Sequence, residues 1–295
     1  VQNAVLNNSI AVFVIGQSDS AKLINKLVTN TTIMVRAQSQ LIGEVMEIGV
    51  RDKVYMVAGA SRGLGYGIAK VLAEEGAKVA IASRNQQAIA AAAEQLTAAT
   101  GAQVLASRCD VTDVDAIAAW HQATLQRFGA IDGLVVNAGG PPPGTFESFD
   151  DAAWQAAFEL TLLSAVRMIR LVLPDLRARG GGSILTLTSS SVKEPIDYLL
   201  LSNVMRSGVT SLAKSLSQQL AAENIRVNNL VPGLIETDRI TALATLSAGH
   251  KGISVAQEKQ NMQAPIPMRR FGQADEFGRV GAFLLSPAAS YITGA

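Results

Sequence analysis

Cysteine occurs once in this 295-residue chain, at Cys109, and histidine twice, at His121 and His250. A single cysteine excludes an internal disulfide, and two histidines without further cysteines leave no Cys/His cluster for zinc. A reducing cytoplasm is the expected compartment, and no metal is expected. Charge is almost balanced, 25 Lys and Arg against 24 Asp and Glu for a formal +1, with no block of one sign. That balance argues against a nucleic-acid surface and a polybasic membrane patch. Long apolar runs are also lacking. The strongest near the amino end, Ile10 to Ile15, is far shorter than a membrane span and has no basic leader before it, so neither membrane insertion nor secretion is expected.

What is present is a chain with 48% hydrophobic residues and a mean hydropathy of +0.25, enough to bury one sizeable core. From Lys53 onward, apolar runs at Val54 to Ala58, Val79 to Ser83, Val104 to Arg108, Leu134 to Asn137, Ile184 to Thr188 and Val227 to Val231 alternate with helical stretches. Nearly continuous apolar strands separated by helices predict a parallel sheet covered on both faces. The expected class is α/β, doubly wound and Rossmann-type, with its ligand at the carboxyl ends of the strands. Ala88 to Ala99 reads as a plain covering helix, since Ala is the strongest helix former. Trp154, Phe158 and Leu162 recur at four-residue spacing and read as one buried helical stripe.

Residues 1–45 do not share this rhythm and are expected to be an extension of the domain at 46–295. At the other end, the helical run Glu276 to Leu285 should be followed by a strand, yet little chain follows it. The expectation is a domain truncated at its carboxyl end, with the last strand missing and a sheet edge left unpaired.

Gly59-Ala60-Ser61-Arg62-Gly63-Leu64-Gly65 lies between the first apolar run and the helical run Ile68 to Glu75. Glycines permit a tight turn and a close backbone approach, and the N–H groups of the helix start face negative charge. Strand, glycine turn and helix together form a phosphate cradle, although a glycine triplet alone also marks ordinary turns. Four further signals follow in order: Cys109-Asp110-Val111, Asn137-Ala138-Gly139, Thr188-Ser189-Ser190, and Pro232-Gly233-Leu234-Ile235-Glu236-Thr237. Each follows an apolar run.

With these five motifs in this order, residues 46–295 resemble the short-chain dehydrogenase/reductase family, in particular its 3-oxoacyl-acyl-carrier-protein reductase-like members. The first motif departs slightly, with Ala58 where the family usually has Thr. The resemblance implies a cofactor site made by Gly59, Ser61, Arg62, Gly63, Leu64 and Gly65 at the first turn. It implies Asp110 and Val111 against the adenine, and Asn137, Ala138 and Gly139 on the ribose side. Pro232, Gly233, Ile235 and Thr237 would follow the nicotinamide end. At the end of the second strand an acidic residue would suit NAD, whereas this chain has Ser83-Arg84-Asn85. A basic residue there accommodates the 2′-phosphate of NADP, with Arg62 as a second cation, so NADP(H) is the expected cofactor.

Family members usually reduce a carbonyl with a Ser, a Tyr, a Lys four residues later, and a helix Asn. The resemblance puts the Ser at Ser189, with Ser190 as the alternative. It puts Ser202 where the Tyr belongs, Arg206 where the Lys belongs and Thr161 where the Asn belongs. An aliphatic hydroxyl is a far poorer acid than a phenol with its reference pKa of about 10. Arg206 can still supply charge and hold the nicotinamide ribose. The proton would come from a water held by Ser202 and Ser189, or from Tyr198, whose other reading is a rim-packing aromatic.

Arg239 to Met268 corresponds to the family's variable substrate lid, and its apolar content suits a hydrophobic or acyl-bearing carbonyl, or the matching alcohol. The expected function is an NADP(H)-dependent oxidoreductase with a non-standard proton-delivery site. The competing expectation is a cofactor-binding but catalytically silent sensor or oligomer subunit. The resemblance also implies a homodimer or homotetramer formed through the helices carrying Thr161 and Arg206.

Overall fold

The computed structural model describes residues 47–295. The extension expected over 1–45, with its run Ile10 to Ile15, lies outside the described residues. From Ile48 onward the chain forms one compact unit.

Six parallel strands make one sheet in the order β3-β2-β1-β4-β5-β6. They are β1 (Val54–Ala58), β2 (Lys78–Ser83), β3 (Val104–Arg108), β4 (Gly133–Val136), β5 (Gly182–Leu187) and β6 (Ile225–Leu230). Between and after them lie α1 (Gly63–Glu74), α2 (Gln86–Thr100), α3 (Val114–Phe128), α4 (Asp151–Phe158), α5 (Ser164–Ala178) and α6 (Leu200–Gln219), then α7 (Asp238–Lys251), α8 (Val255–Gln263) and α9 (Ala274–Leu285). The order reverses between β1 and β4, the topological switch point where doubly wound sheets open a crevice.

Alternation along each strand divides the core in two. Tyr55, Val57, Val79, Ile81, Val135 and Leu185 face one side with Ile68 and Leu72 of α1, Ile89 and Leu96 of α2 and Phe277 of α9. Met56, Ala80, Leu134, Ile184 and Val227 face the other, with Trp120 of α3, Met168 and Val172 of α5 and Val209 of α6. Both faces are covered, which is why the strands read as unbroken apolar runs. Each aliphatic side chain buried this fully contributes about 1.5–3 kcal/mol.

Three local expectations need correction. Asn137 and Thr188 fall just past their strands. Asn137 leaves β4 because its side-chain amide donates to the carbonyls of Ala58 and Gly59, at 3.3 and 3.1 Å, and so ties the end of β4 to the end of β1. The stripe Trp154, Phe158 and Leu162 is not one helix face. A π-helical turn at Glu159–Leu163 follows α4, so Trp154 and Phe158 pack with Leu201 and Met205 while Leu162 joins the larger core. Tyr198 precedes α6, whose first residue is Leu200, so it does not stand one helical turn from Ser202.

At the β6 edge the last residues run beside the strand. Gly294 N donates to Val227 O at 2.8 Å, and Asn229 N donates to Ala295 O at 2.9 Å. Among the described residues no helix is long and apolar enough to cross a membrane.

Candidate active site

A cleft of about 1210 Å³ opens at the carboxyl ends of the strands. Its first wall is the turn from β1 into α1. Gly59 and Gly63 adopt left-handed φ values of +60° and +65°. The turn is closed so tightly that a Cβ on Gly65 would stand 2.5 Å from Gly59 O, and one on Gly59 would stand 2.7 Å from Asn137 Nδ2. Arg62 occupies the N-cap of α1 without a side-chain cap, and the first turn carries no acidic residue. The first N–H groups of α1 therefore begin at the cleft without a carboxylate or hydroxyl to satisfy them, as an anion site requires.

Gly59, Ser61, Arg62, Gly63 and Leu64 all line the cleft, with Gly65 directly behind them. Arg84, at the end of β2, also lines it, and its NH2 lies 3.9 Å from the point a Cβ on Gly139 would occupy. Arg62 is not fully available, because Asp238 Oδ2 accepts from its NH1 at 2.9 Å. Both partners are well exposed, so the pair is weak.

Below β3, Cys109 and Val111 line the cleft while Asp110 between them does not. Asp110 Oδ1 accepts from Thr112 N and from the Thr112 hydroxyl, at 3.0 and 2.8 Å. Burial opposes its charge, but these two bonds, with Arg84 and Arg108 nearby, hold its carboxyl below the ordinary value. Asn137, Ala138 and Gly139 form the floor at the switch point. Pro232, Gly233, Ile235 and Thr237 form the far wall. That wall is fixed by an isolated bridge between Ile235 and Gly272, and Thr237 packs over Gly63.

Ser189, Ser202 and Arg206 meet in the same cleft. Ser189 Oγ accepts from Ser191 N at 3.2 Å, which leaves its own proton available to a ligand. Arg206 and Ser202 sit one turn apart on α6, and Arg206 Nε donates to Ser202 Oγ at 3.2 Å. Arg206 NH1 donates to Leu187 O at 3.0 Å and to Thr188 O at 3.4 Å, the last carbonyl of β5 and the one just past it. The guanidinium is thus clamped at the cleft floor. Burial, and secondarily Arg239, lower its pKa to about 10, so it remains a cation at neutral pH.

Two sequence candidates stand apart. Tyr198 is 47% exposed and is absent from the cleft wall, which takes Ile196 and Leu199 from that loop. Thr161 is buried in the π-turn with its Oγ1 unpartnered. Conversely, Arg239 lines the cleft although it carries no sequence motif. One signal does mark it. It is a cation in the first turn of α7, where the helix dipole disfavours positive charge.

A sheet of this order, with a glycine cradle before α1 at its switch point, defines a doubly wound dinucleotide-type fold. Comparison with known proteins narrows the class: the family described as enoyl-(acyl carrier protein) reductase matches residues 59–295. The chain belongs to the short-chain dehydrogenase/reductase family. It is 31% identical over 242 residues to the 7alpha-hydroxysteroid dehydrogenase of Escherichia coli K12, covering 82% of this chain and 90% of that protein. Among solved structures it is similar to L-sorbose reductase from Gluconobacter frateurii in complex with NADPH and L-sorbose. The TM-score is 0.80 at 32% identity, covering 84% of this chain and 95% of that one. It is also similar to an NADPH-bound short-chain oxidoreductase of Pseudomonas aeruginosa PAO1 that contains an atypical catalytic centre. Here the TM-score is 0.74 at 30% identity, covering 83% and 94% of the two chains.

Proposed function

We propose that this protein is an NADP(H)-dependent oxidoreductase that reduces a carbonyl, of 3-oxoacyl or similar type, without a tyrosine proton donor. The observation that carries the reading is the convergence, in one cleft, of the uncapped α1 start with Arg84, Ser189, Ser202 and Arg206. The residues fit the cofactor: the glycine turn leaves room that a Cβ would fill, and Arg84 offers charge for a 2′-phosphate. NADPH, when bound, supplies the hydride. Similarity to NADPH complexes at about 30% identity supports the same choice.

The chain's own residues handle the oxygen and the proton. Ser189 donates to the carbonyl oxygen, and the Arg206 charge stabilises the alkoxide that develops there. Because Ser202 Oγ already accepts from Arg206 Nε, its own hydrogen is directed elsewhere and can hold a water or pass a proton into the cleft. A hydroxyl of ordinary acidity makes this delivery slower than a tuned phenol would. Leu160, Leu187, Ile196, Leu199 and Leu243 give the substrate an apolar wall. Copies of the chain are proposed to pair through the helical run that carries Thr161, from α4 through the π-turn into α5, and through α6, on which Val204 is 46% exposed.

The test is a fluorescence titration with NADPH followed by single-turnover hydride transfer across a carbonyl panel. Tight NADPH binding with transfer is expected. Tight binding with no transfer to any carbonyl would overturn the enzyme in favour of a silent cofactor-binding protein. Ser202→Tyr combined with Arg206→Lys is expected to raise the rate of the chemical step by at least about tenfold, toward the 10²–10⁴ that a positioned acid contributes.

A further inference from the structure

Four arginines line the cleft, and they are not equivalent. Arg62 has Asp238, and Arg84 stands at the end of β2. Arg206 of α6 and Arg239 of α7 approach each other over Gly140. Their NH2 ends lie 3.9 and 3.0 Å, respectively, from the point a Cβ on Gly140 would occupy. Their separation therefore cannot exceed those two lengths together, and one carboxylate between them could bond both.

Among the described residues neither arginine forms an ion pair. Arg206 spends Nε and NH1 on Ser202, Leu187 and Thr188, which leaves NH2 directed toward Gly140. After burial, the proximity of Arg239 is the second reason that the Arg206 pKa falls. Two like charges brought together, Arg206 partly buried on the cleft floor and Arg239 exposed above it, with neither in an ion pair, make a place suited to an anion.

We infer that Arg206 and Arg239 clamp a carboxylate of the substrate, so that the substrate is an oxo acid with an apolar body rather than a neutral ketone. The inference rests on the carbonyl-reductase reading above. A cofactor pyrophosphate has its own place at the start of α1, by Arg62 and Gly63. Arg206 of the clamp instead bonds Ser202 and the Thr188 carbonyl, the place the reading above gives to the reducible carbonyl. Gly140 leaves the clamp open, since a side chain there would fill the space in front of Arg239. Leu160, Leu199 and Leu243 supply the apolar wall for the rest of the molecule.

A matched pair of probes isolates the charge: 3-oxohexanoate and its ethyl ester, which share the reducible carbonyl. The expected result is a kcat/KM for the acid at least about tenfold above that for the ester, with the ratio falling about tenfold in Arg239→Gln. Hexanoate, which cannot be reduced, should bind by calorimetry with and without NADPH, and about tenfold more weakly to Arg239→Gln. Equal hexanoate affinity in the two proteins would overturn the clamp. So would a variant that loosens NADPH about tenfold while leaving the acid-to-ester ratio unchanged, because the pair would then belong to the cofactor's pyrophosphate. Hydride transfer to neither probe and to no carbonyl of the panel above, with hexanoate still bound and its binding still sensitive to Arg239→Gln, would refute the reductase reading and leave the anion site standing.

Discussion

Replacing Arg84 by Gln should separate the two nicotinamide cofactors. Arg84 lies at the end of β2 and is exposed on the cleft rim, while the adjacent Asn85 caps α2 by accepting from Ala88 N at 2.9 Å. The change therefore removes a charge without disturbing the cap. A hydrogen bond to a charged group contributes about 1.5–3 kcal/mol. Exposure and salt screening place Arg84 at the low end, near 1.5–2 kcal/mol. At about 1.4 kcal/mol per decade, the NADPH Kd should rise roughly ten- to thirtyfold. NADH, without the 2′-phosphate, should shift less than about twofold. The assay is paired fluorescence titration of both cofactors in wild type and variant, repeated at high salt, where the difference should narrow. Arg62→Ala should cost less than Arg84→Gln, because Arg62 must partly give up Asp238 to reach the phosphate. Equal loosening of NADH and NADPH by Arg84→Gln would refute the assignment, as would an unchanged NADPH Kd.

The remaining expectations concern stability and reactivity. Asp132 is buried, its Oδ2 accepting from Val54 N at 2.8 Å and its Oδ1 from both Nε and NH2 of Arg179. Asp132→Ala strands a backbone donor at the start of β1 and should lower the unfolding free energy by about 2–4 kcal/mol in urea denaturation. Burial, followed by the charges of Asp110 and Asp113, pushes the Cys109 thiol up to about 12. Iodoacetamide at pH 8 should therefore label it only after unfolding. Glu276 accepts from Arg270 and from Gln273 N, which lower its pKa to about 2. A carboxyl depressed in the folded state contributes fully above its ordinary value of about 4.5 and loses that contribution as pH falls through about 2. Denaturation midpoints should fall across that window in wild type and fall less in Glu276→Gln.

The strands and their parallel, doubly wound class were legible because the central strands β1 and β4 are buried along their whole length, which writes them into the sequence as apolar runs. Four of the six strands were placed within a residue at both ends, namely β1, β2, β3 and β4, while β5 and β6 each begin two residues earlier than read. Boundaries slipped where side chains compete for backbone partners: Asn137 reads as strand by composition, yet its amide serves the β1 carbonyls. Four-residue spacing likewise could not show the π-turn at Glu159–Leu163, because one extra residue per turn leaves the apolar pattern almost intact while rotating everything after it.

The cleft separates the two kinds of information further. Gly59 to Gly65 could be found from sequence because a turn's requirements are local. Tyr198 and Arg239 could not be ranked that way, since their usefulness depends on where a loop and a lid helix fall relative to α6. Helix α6 begins after Tyr198, and the aromatic side chain is left 47% exposed. Helix α7 begins immediately before Arg239, and its guanidinium comes over Gly140 beside Arg206. On the proposed reading, an arginine at position 206, where the resemblance puts a Lys, therefore does more than change one pKa. A planar donor set anchored by Leu187 and Thr188 can hold a fixed charge toward a second arginine, which a flexible ammonium could not do in the same geometry. In the proposed mechanism, the absent tyrosine and the arginine in the lysine's expected place are then two parts of one rearrangement, in which orientation by charge takes over from acid strength.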